Sequence, residues 1–281
     1  MEQKTALDFW HFQPHHQPPL FQMLKMIDGG HKPVVLDNRN EPTVMTRWEQ
    51  AATTKWGRYV TQMEERAIRQ AASLAGKPTW ALEIGCDGGR WSKLLSDSGW
   101  QMTCTDVNSE TLAVCRRRVP GAKCILSHPR DETIPCEPDS TNLLLCVEVA
   151  PVIQSGWFLP EAGRVLRENG ILVGVCWNRA SARGFFSRVK QRFAPPTDDT
   201  FYTRSYSAWR KDLVQAGFQL VQEEGFCWGF FGRESNSLLV PLFIRLERLL
   251  WLHRMTTWSP WVVFIARKIP RGPGAKTENI K

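Results

Sequence analysis

Between residues 79 and 178 the chain alternates short apolar runs with amphipathic stretches, and glycine, proline or a capping residue marks most of the switches. TWALEIG (79–85) reads as a buried strand, GRWSKLLSDSG (89–99) as a helix and WQMTCTD (100–106) as a strand. NSETLAVCRRRVPG (108–121) opens on an Asn/Ser cap and stops at Pro120-Gly121, so it reads as a helix. AKCILS (122–127) and the continuous apolar run TNLLLCVEV (141–149) read as strands, PEAGRVLRENG (160–170) as a helix and GILVGVCWN (170–178) as a strand. Strand–helix–strand units repeated this often require a parallel sheet with right-handed crossovers.

The flanks complete the expectation. Residues 1–45 are rich in His, Pro and Gly and read as an irregular N-terminal extension, and 46–76 read as one helix stopped by Gly76-Lys77-Pro78. After the alternating core come a basic helix (180–193), a Pro-rich link and a helix over 205–217. A strand (218–226), a long apolar–basic helix (235–254) and a last strand (261–268) follow. The expected fold is therefore α/β and Rossmann-like: a mostly parallel seven-stranded sheet with helices on both faces and a helical cap inserted before the last strand. One domain is expected over 46–281, with its ligand-binding half at 79–178 and cap elements at 179–204 and 229–257.

Charge and cysteine usage narrow the setting. The chain has 281 residues and a formal charge of +8, which favours anionic partners at long range. Arg179, Arg183, Arg188, Lys190 and Arg192 form a run with no acid. None of the eight cysteines forms a C-x-x-C pair, and several sit inside apolar runs, so free buried thiols and no metal are expected. His11, His15 and His16 cluster, but without a partner cysteine or a visible scaffold. The first residues carry no apolar stretch of leader length and no segment has the length of a membrane span, so a reducing, cytoplasmic setting is expected.

The chemistry concentrates in LEIGCDGGRWS. A strand delivers Glu83, and a glycine-rich turn (Gly85, Asp87, Gly89) leads into a helix. Glycines at such a turn let the backbone come close to a ligand. The spacing is not G-x-G-x-x-G, because Asp87 stands at the middle glycine position. Two acids also suit a pyrophosphate poorly, which weighs against a nucleotide-binding oxidoreductase. Asp106 ends the next strand, where a carboxylate can accept both hydrogens of a ribose diol. The alternative role for Asp106 is capping the helix that begins near Asn108. A close-approach turn with a ribose clamp and no phosphate cradle suits a nucleoside that carries cationic groups.

On these residues the chain resembles the class I S-adenosylmethionine-dependent methyltransferases, in particular the UbiE-like group acting on small molecules. The resemblance covers about 79–178 well and 205–268 loosely. It implies S-adenosyl-L-methionine as cofactor, with Glu83, Gly85 and Gly89 matching the family's first motif and Asp106, followed by Val107, matching its ribose-binding acid. It places Asp131, with Arg130 beside it, in the loop that meets the adenine amino group, and Cys146 to Glu148 under the methionine moiety. Asp87 is expected to meet the cofactor ammonium or the amides of its own turn. The sequence departs from the family at Asp87, at Asn142 in place of the usual aspartate, and at Ala150-Pro151 in place of a Glu-His pair, so no catalytic base follows from the resemblance.

His128, Tyr202 and Tyr206 are the weak remaining candidates for a base. The expected reaction is methyl transfer to a small-molecule or lipid-linked acceptor, anionic or aromatic in character. Glu148-Val149-Ala150-Pro151 lacks the Pro-Pro-Tyr motif of many enzymes that methylate exocyclic amines, so nucleic acid is not the expected partner. An RNA or protein acceptor and a non-catalytic nucleoside-binding module are the alternatives. The 235–254 helix, with Leu239, Leu242, Leu246, Leu249 and Leu250 on one face, reads as a cap packed on the sheet or as a surface touching membrane lipid.

Overall fold

The computed structural model describes residues 45–193 and 201–270. The His11, His15 and His16 group and all but the last residue of the irregular extension lie outside them.

The described residues build a sheet in the order β3-β2-β1-β4-β5-β7-β6. Its strands are β1 (Trp80–Ile84), β2 (Gln101–Asp106), β3 (Lys123–Leu126), β4 (Thr141–Cys146), β5 (Leu166–Trp177), β6 (Phe218–Phe226) and β7 (Trp261–Lys268). Strands β1 to β5 pair in parallel, and β7 runs antiparallel between β5 and β6. This is the expected seven-stranded architecture, with its antiparallel pairing confined to one end. The helices are α1 (Arg47–Ala52), α2 (Lys55–Ala75), α3 (Arg90–Ser96), α4 (Ser109–Arg118), α5 (Ala150–Ile153), α6 (Phe158–Val165), α7 (Ala182–Phe193), α8 (Tyr206–Gln215) and α9 (Val240–Leu249).

The core follows from the pattern. Leu143, Leu144, Leu145 and Cys146 of β4 are fully buried, as a central strand covered on both faces must be. Helix α2 buries Trp56, Val60, Met63, Ala67, Ile68 and Ala71 at helical spacing against β4, β5 and β7. Each large apolar side chain buried in this way contributes roughly 1.5–3 kcal/mol.

Three expectations change. The 46–76 helix is two helices, because Thr46 caps α1 and Thr54 caps α2, accepting from Gly57 N at 3.0 Å. The chain turns so tightly there that a Cβ on Gly57 would lie 1.9 Å from Ala51 O. The 160–170 helix stops at Val165, and 166–170 already belong to β5 as a polar irregularity between the pairs Thr141↔Leu166 and Leu143↔Ile171. Asn169 there has φ 64, which a helix does not tolerate. The 235–254 helix shrinks to Val240–Leu249, since Pro241 fits only a first turn and Trp251 (φ 55) turns the chain away.

Candidate active site at the C-terminal edge of the sheet

The glycine turn leaves β1 at the edge where parallel-sheet proteins place their ligands. Gly85 and Gly89 have φ 67 and φ 76, and Asp87 is itself left-handed at φ 48. A Cβ at Gly85 would meet Val149 Cγ2 at 2.5 Å, and one at Gly89 would meet Cys115 Sγ at 2.6 Å. These glycines are required by backbone conformation and by the protein atoms packed on the turn, which adds a structural reason to the ligand-approach argument.

The acids of the turn are ordered by its amides. Asp106 accepts from Asp87 N at 2.7 Å and from Asn108 N at 2.9 Å, so it braces the turn as well as ending β2. The helix cap is Asn108, whose side chain accepts from Glu110 N at 2.8 Å. Burial raises the Asp106 pKa, opposed by those backbone amides. The Asp87 carboxylate accepts from the Thr46 hydroxyl, and burial pushes it up to about 6. Val107 beside Asp106 is 40% exposed, offering an apolar surface. Helix α1 is tied over the turn by Arg118, which bonds both Glu49 and Gly88 O.

Glu83 has a different place from the one the motif suggests. It is 3% exposed and accepts from Ser92 of α3, below the turn. Burial, with Cys104 next, raises its pKa well above the carboxylate range. Glu83 therefore orients α3 from inside the core. Cys146 is likewise fully buried in β4. Arg130 and Asp131 are exposed, and their hydrogen bonds given by the structure close the loop on itself: His128 N donates to Asp131 Oδ2 at 2.8 Å and Arg130 N to His128 Nδ1 at 3.2 Å.

Glu148 lies at the edge in a network that spacing alone does not reveal. It is left-handed at φ 61, two residues past β4 and next to the Val149 that packs on Gly85. Arg233 forms a two-pronged ion pair with it, and the guanidinium lies 4.3 Å from the Trp48 ring centroid. Behind them is Glu64 of α2, wholly buried and 3.4 Å from Arg90. Burial raises the Glu64 pKa well above the ordinary value, the adjacent Glu148 adds to this, and Arg233 and Arg90 oppose it. Glu64 Oε1 and Arg233 Nε are buried without a hydrogen-bond partner. Buried polar atoms are rarely left so, and an acceptor and a donor orphaned together fit the ammonium and carboxylate of an amino-acid group.

Glu148 and Arg233 also line a cavity of about 280 Å³, with Trp48, Trp177, Phe201, Tyr202 and Trp261 among its walls. Trp177 packs edge-on against Trp261 at 5.3 Å and Phe201 at 5.5 Å. Trp261 Nε1 donates to the Tyr202 hydroxyl at 3.0 Å, and burial pushes the Tyr202 pKa up to about 12. Tyr206 is buried and donates to Glu223 Oε2 at 2.7 Å, which makes it part of the core. Trp209 is buried in the core, and Trp251 and Trp258 are exposed. No sequence signal pointed to Thr46, Trp48, Glu64 or Arg233, because each meets its partner across a large sequence distance.

Residues 82–174 match the methyltransferase-domain family. A protein of Mycobacterium tuberculosis, curated as an uncharacterized methyltransferase, is 26% identical over 159 residues, which cover 52% of this chain. The match spans 64% of that relative's own length. Among solved structures, the geranyl diphosphate C-methyltransferase of Streptomyces coelicolor aligns with a TM-score of 0.58 at 10% identity, over 92% of this chain and all of that one. A geranyl diphosphate methyltransferase in complex with its substrate and sinefungin aligns with a TM-score of 0.55 at 13% identity, over 91% of this chain and 96% of that one. These likenesses are to the fold. With the glycine turn, the acid ending β2 and the strand order in place, residues 82–174 form a domain similar to the class I S-adenosylmethionine-dependent methyltransferases.

Proposed function

We propose that the protein transfers the methyl group of S-adenosylmethionine to a small-molecule or lipid-linked acceptor held in the aromatic cavity. The observation that carries this reading is the adjacency of the glycine turn and the cavity: Val149 packs on Gly85, while its neighbour Glu148 lines the cavity wall. In this reading Asp106 holds the ribose hydroxyls, Val107 lies along the adenine, and Arg130 and Asp131 stand at the adenine side. Gly85, Asp87 and Gly89 shape the turn, and Glu83 and Cys146 support it from the core. Glu148, Glu64 and Arg233 hold the amino-acid end, where the orphaned donor and acceptor find partners.

The bound cofactor supplies a sulfonium-activated methyl group, so the residues of this chain need mainly to align an acceptor and exclude water. Fixing two reactants in register can lower a barrier by roughly 7–11 kcal/mol. Tyr202 is protonated at neutral pH, with its pKa pushed up to about 12, so it serves as a hydrogen-bond donor toward the acceptor and not as a base. The aromatic walls favour a ring or an unsaturated chain, and about 280 Å³ suits a compact group. The described residues include no helix long and apolar enough to cross a membrane, and every described cysteine is free. We place the reaction in the cytoplasm on that thiol usage.

The test has two parts. S-adenosylhomocysteine titrated calorimetrically into the protein should bind, and NADH should not. Labelled S-adenosylmethionine incubated with the protein and a cell extract should label the small-molecule or lipid fraction. Label confined to RNA or protein would replace the acceptor class, and no binding of S-adenosylhomocysteine would remove the reading.

A further inference from the structure

Helix α9 is inside out for a cap packed on a sheet. Its buried side chains are Val240 and Glu247, and Glu247 is 4% exposed. Glu247 is held inside by the Tyr59 hydroxyl, which donates to it at 2.8 Å. The opposite face carries Leu242 (50% exposed), Leu246 and Leu249 (71% exposed), and it runs on into Trp251. A helix that buries its carboxylate and exposes its leucines is expected only where something apolar covers the leucines.

The apolar surface does not end at α9. Phe243 packs edge-on against Phe231 at 5.2 Å. The neighbouring Phe230, 66% exposed, meets Phe186 of α7 at 5.8 Å. A chain of aromatic contacts thus joins α9 to α7 through the 229–235 loop. That same loop supplies Arg233 and Glu234 to the cavity wall, so the apolar surface and the cavity share one loop.

Apart from Glu234 of the loop, the charges on this surface are positive. Arg188, Arg245, Arg248 and Arg254 are exposed on or beside the two helices. Arg254 lies 4.0 Å from the Trp251 ring centroid. Residues 182–193 contain no acid, and within 238–258 the one acid is the buried Glu247. On the two helices, exposed leucine, ring-bearing side chains and arginine stand without an exposed carboxylate, with Glu234 of the loop as the one acid beside them, and this is the composition of helices lying in the interface of an anionic bilayer. A protein partner of matching shape would need an acidic apolar groove; a lipid surface supplies negative headgroups and an apolar layer together.

We infer that α9, the 229–235 loop and α7 dock the protein on an anionic membrane surface, with the cavity loop at the contact. The inference deepens the proposed function: it rests on that reading only in selecting the lipid-linked acceptor, and the docking itself stands on the surface alone.

Sedimentation with vesicles tests it. The full chain should sediment at least about tenfold more with phosphatidylcholine–phosphatidylglycerol vesicles than with phosphatidylcholine alone, and high salt should reduce the binding. Leu242→Glu/Leu249→Glu should reduce vesicle binding about tenfold or more, with an unchanged circular dichroism spectrum. The same variant should keep its S-adenosylhomocysteine affinity, which separates failure of docking from failure of the cofactor reading. Arg245→Gln/Arg248→Gln should lower binding to the anionic vesicles alone. Two results would overturn the inference: no vesicle binding by the parent chain, which means the leucines are covered by other residues of the chain, or a dimer in light scattering that the double leucine variant converts to monomer, which means a second copy covers them.

Discussion

The glycine turn and the aromatic cavity are neighbours at one edge of the sheet, yet they are assembled by opposite means. The turn is a contiguous stretch, Gly85–Gly89, braced by Asp106 through backbone amides and closed by left-handed dihedrals. The cavity draws walls from positions 47 to 261, among them the ion-paired Glu148 and Arg233, with the buried Glu64 behind that pair. A site held by backbone geometry tolerates a changed proton; one held by buried charges does not, because an unpaired charge in the interior has no water to turn to.

The largest expected effect follows from that contrast. Arg233→Ala leaves Glu148 and Glu64 facing each other in the interior and should cost about 3–5 kcal/mol of stability in urea unfolding. A loss below about 1 kcal/mol would mean that packing, not charge, holds the cavity side, and the contrast would fail.

Glu247 gives the next test. Its carboxyl has an ordinary value of 4.5 and, pushed up mainly by burial, a folded value of about 7. As pH rises, the unfolded chain releases this proton first, while the folded chain still holds it. Stability therefore falls from about pH 4 to about pH 7 and stays low above, by roughly 3 kcal/mol in all. Glu247→Gln should match the parent chain at pH 4 and melt higher at pH 8; equal pH profiles for the two proteins would refute the assignment.

On the turn side, Gly89→Ala forces a left-handed alanine against the Cys115 thiol and should cost about 2 kcal/mol, independent of pH between 5 and 8. A pH-dependent cost would show that the turn is coupled to a titrating group, Asp87 within it or the charge network beside it. The smallest effect is on binding: Asp106→Ala should weaken S-adenosylhomocysteine about tenfold by calorimetry, through loss of both the ribose contact and the brace on Asp87 N. An unchanged affinity would assign Asp106 to the turn alone.

The alternating pattern between 79 and 178 made the parallel sheet legible because each strand and its following helix carry their own start and stop signals. The departures lie where tertiary contacts override local pattern: the Thr53-Thr54 break between α1 and α2, the polar irregularity at 167–170, and the shortened α9. The acid ending β2 was legible for the same local reason. Glu83 shows the limit, since its motif position says that an acid is present but not that Ser92 holds it under the turn.

By itself the sequence determined the seven strands, the glycine turn and the acid that ends β2, all of which depend on neighbours a few residues away. Only the tertiary structure decided that Arg233 meets Glu148 across 85 positions, that Trp177 and Trp261 wall a cavity, and that the leucines of α9 face outward while Glu247 faces in. Periodicity reports that a helix has two faces; which face is buried depends on what the rest of the fold brings against it, here the hydroxyl of Tyr59.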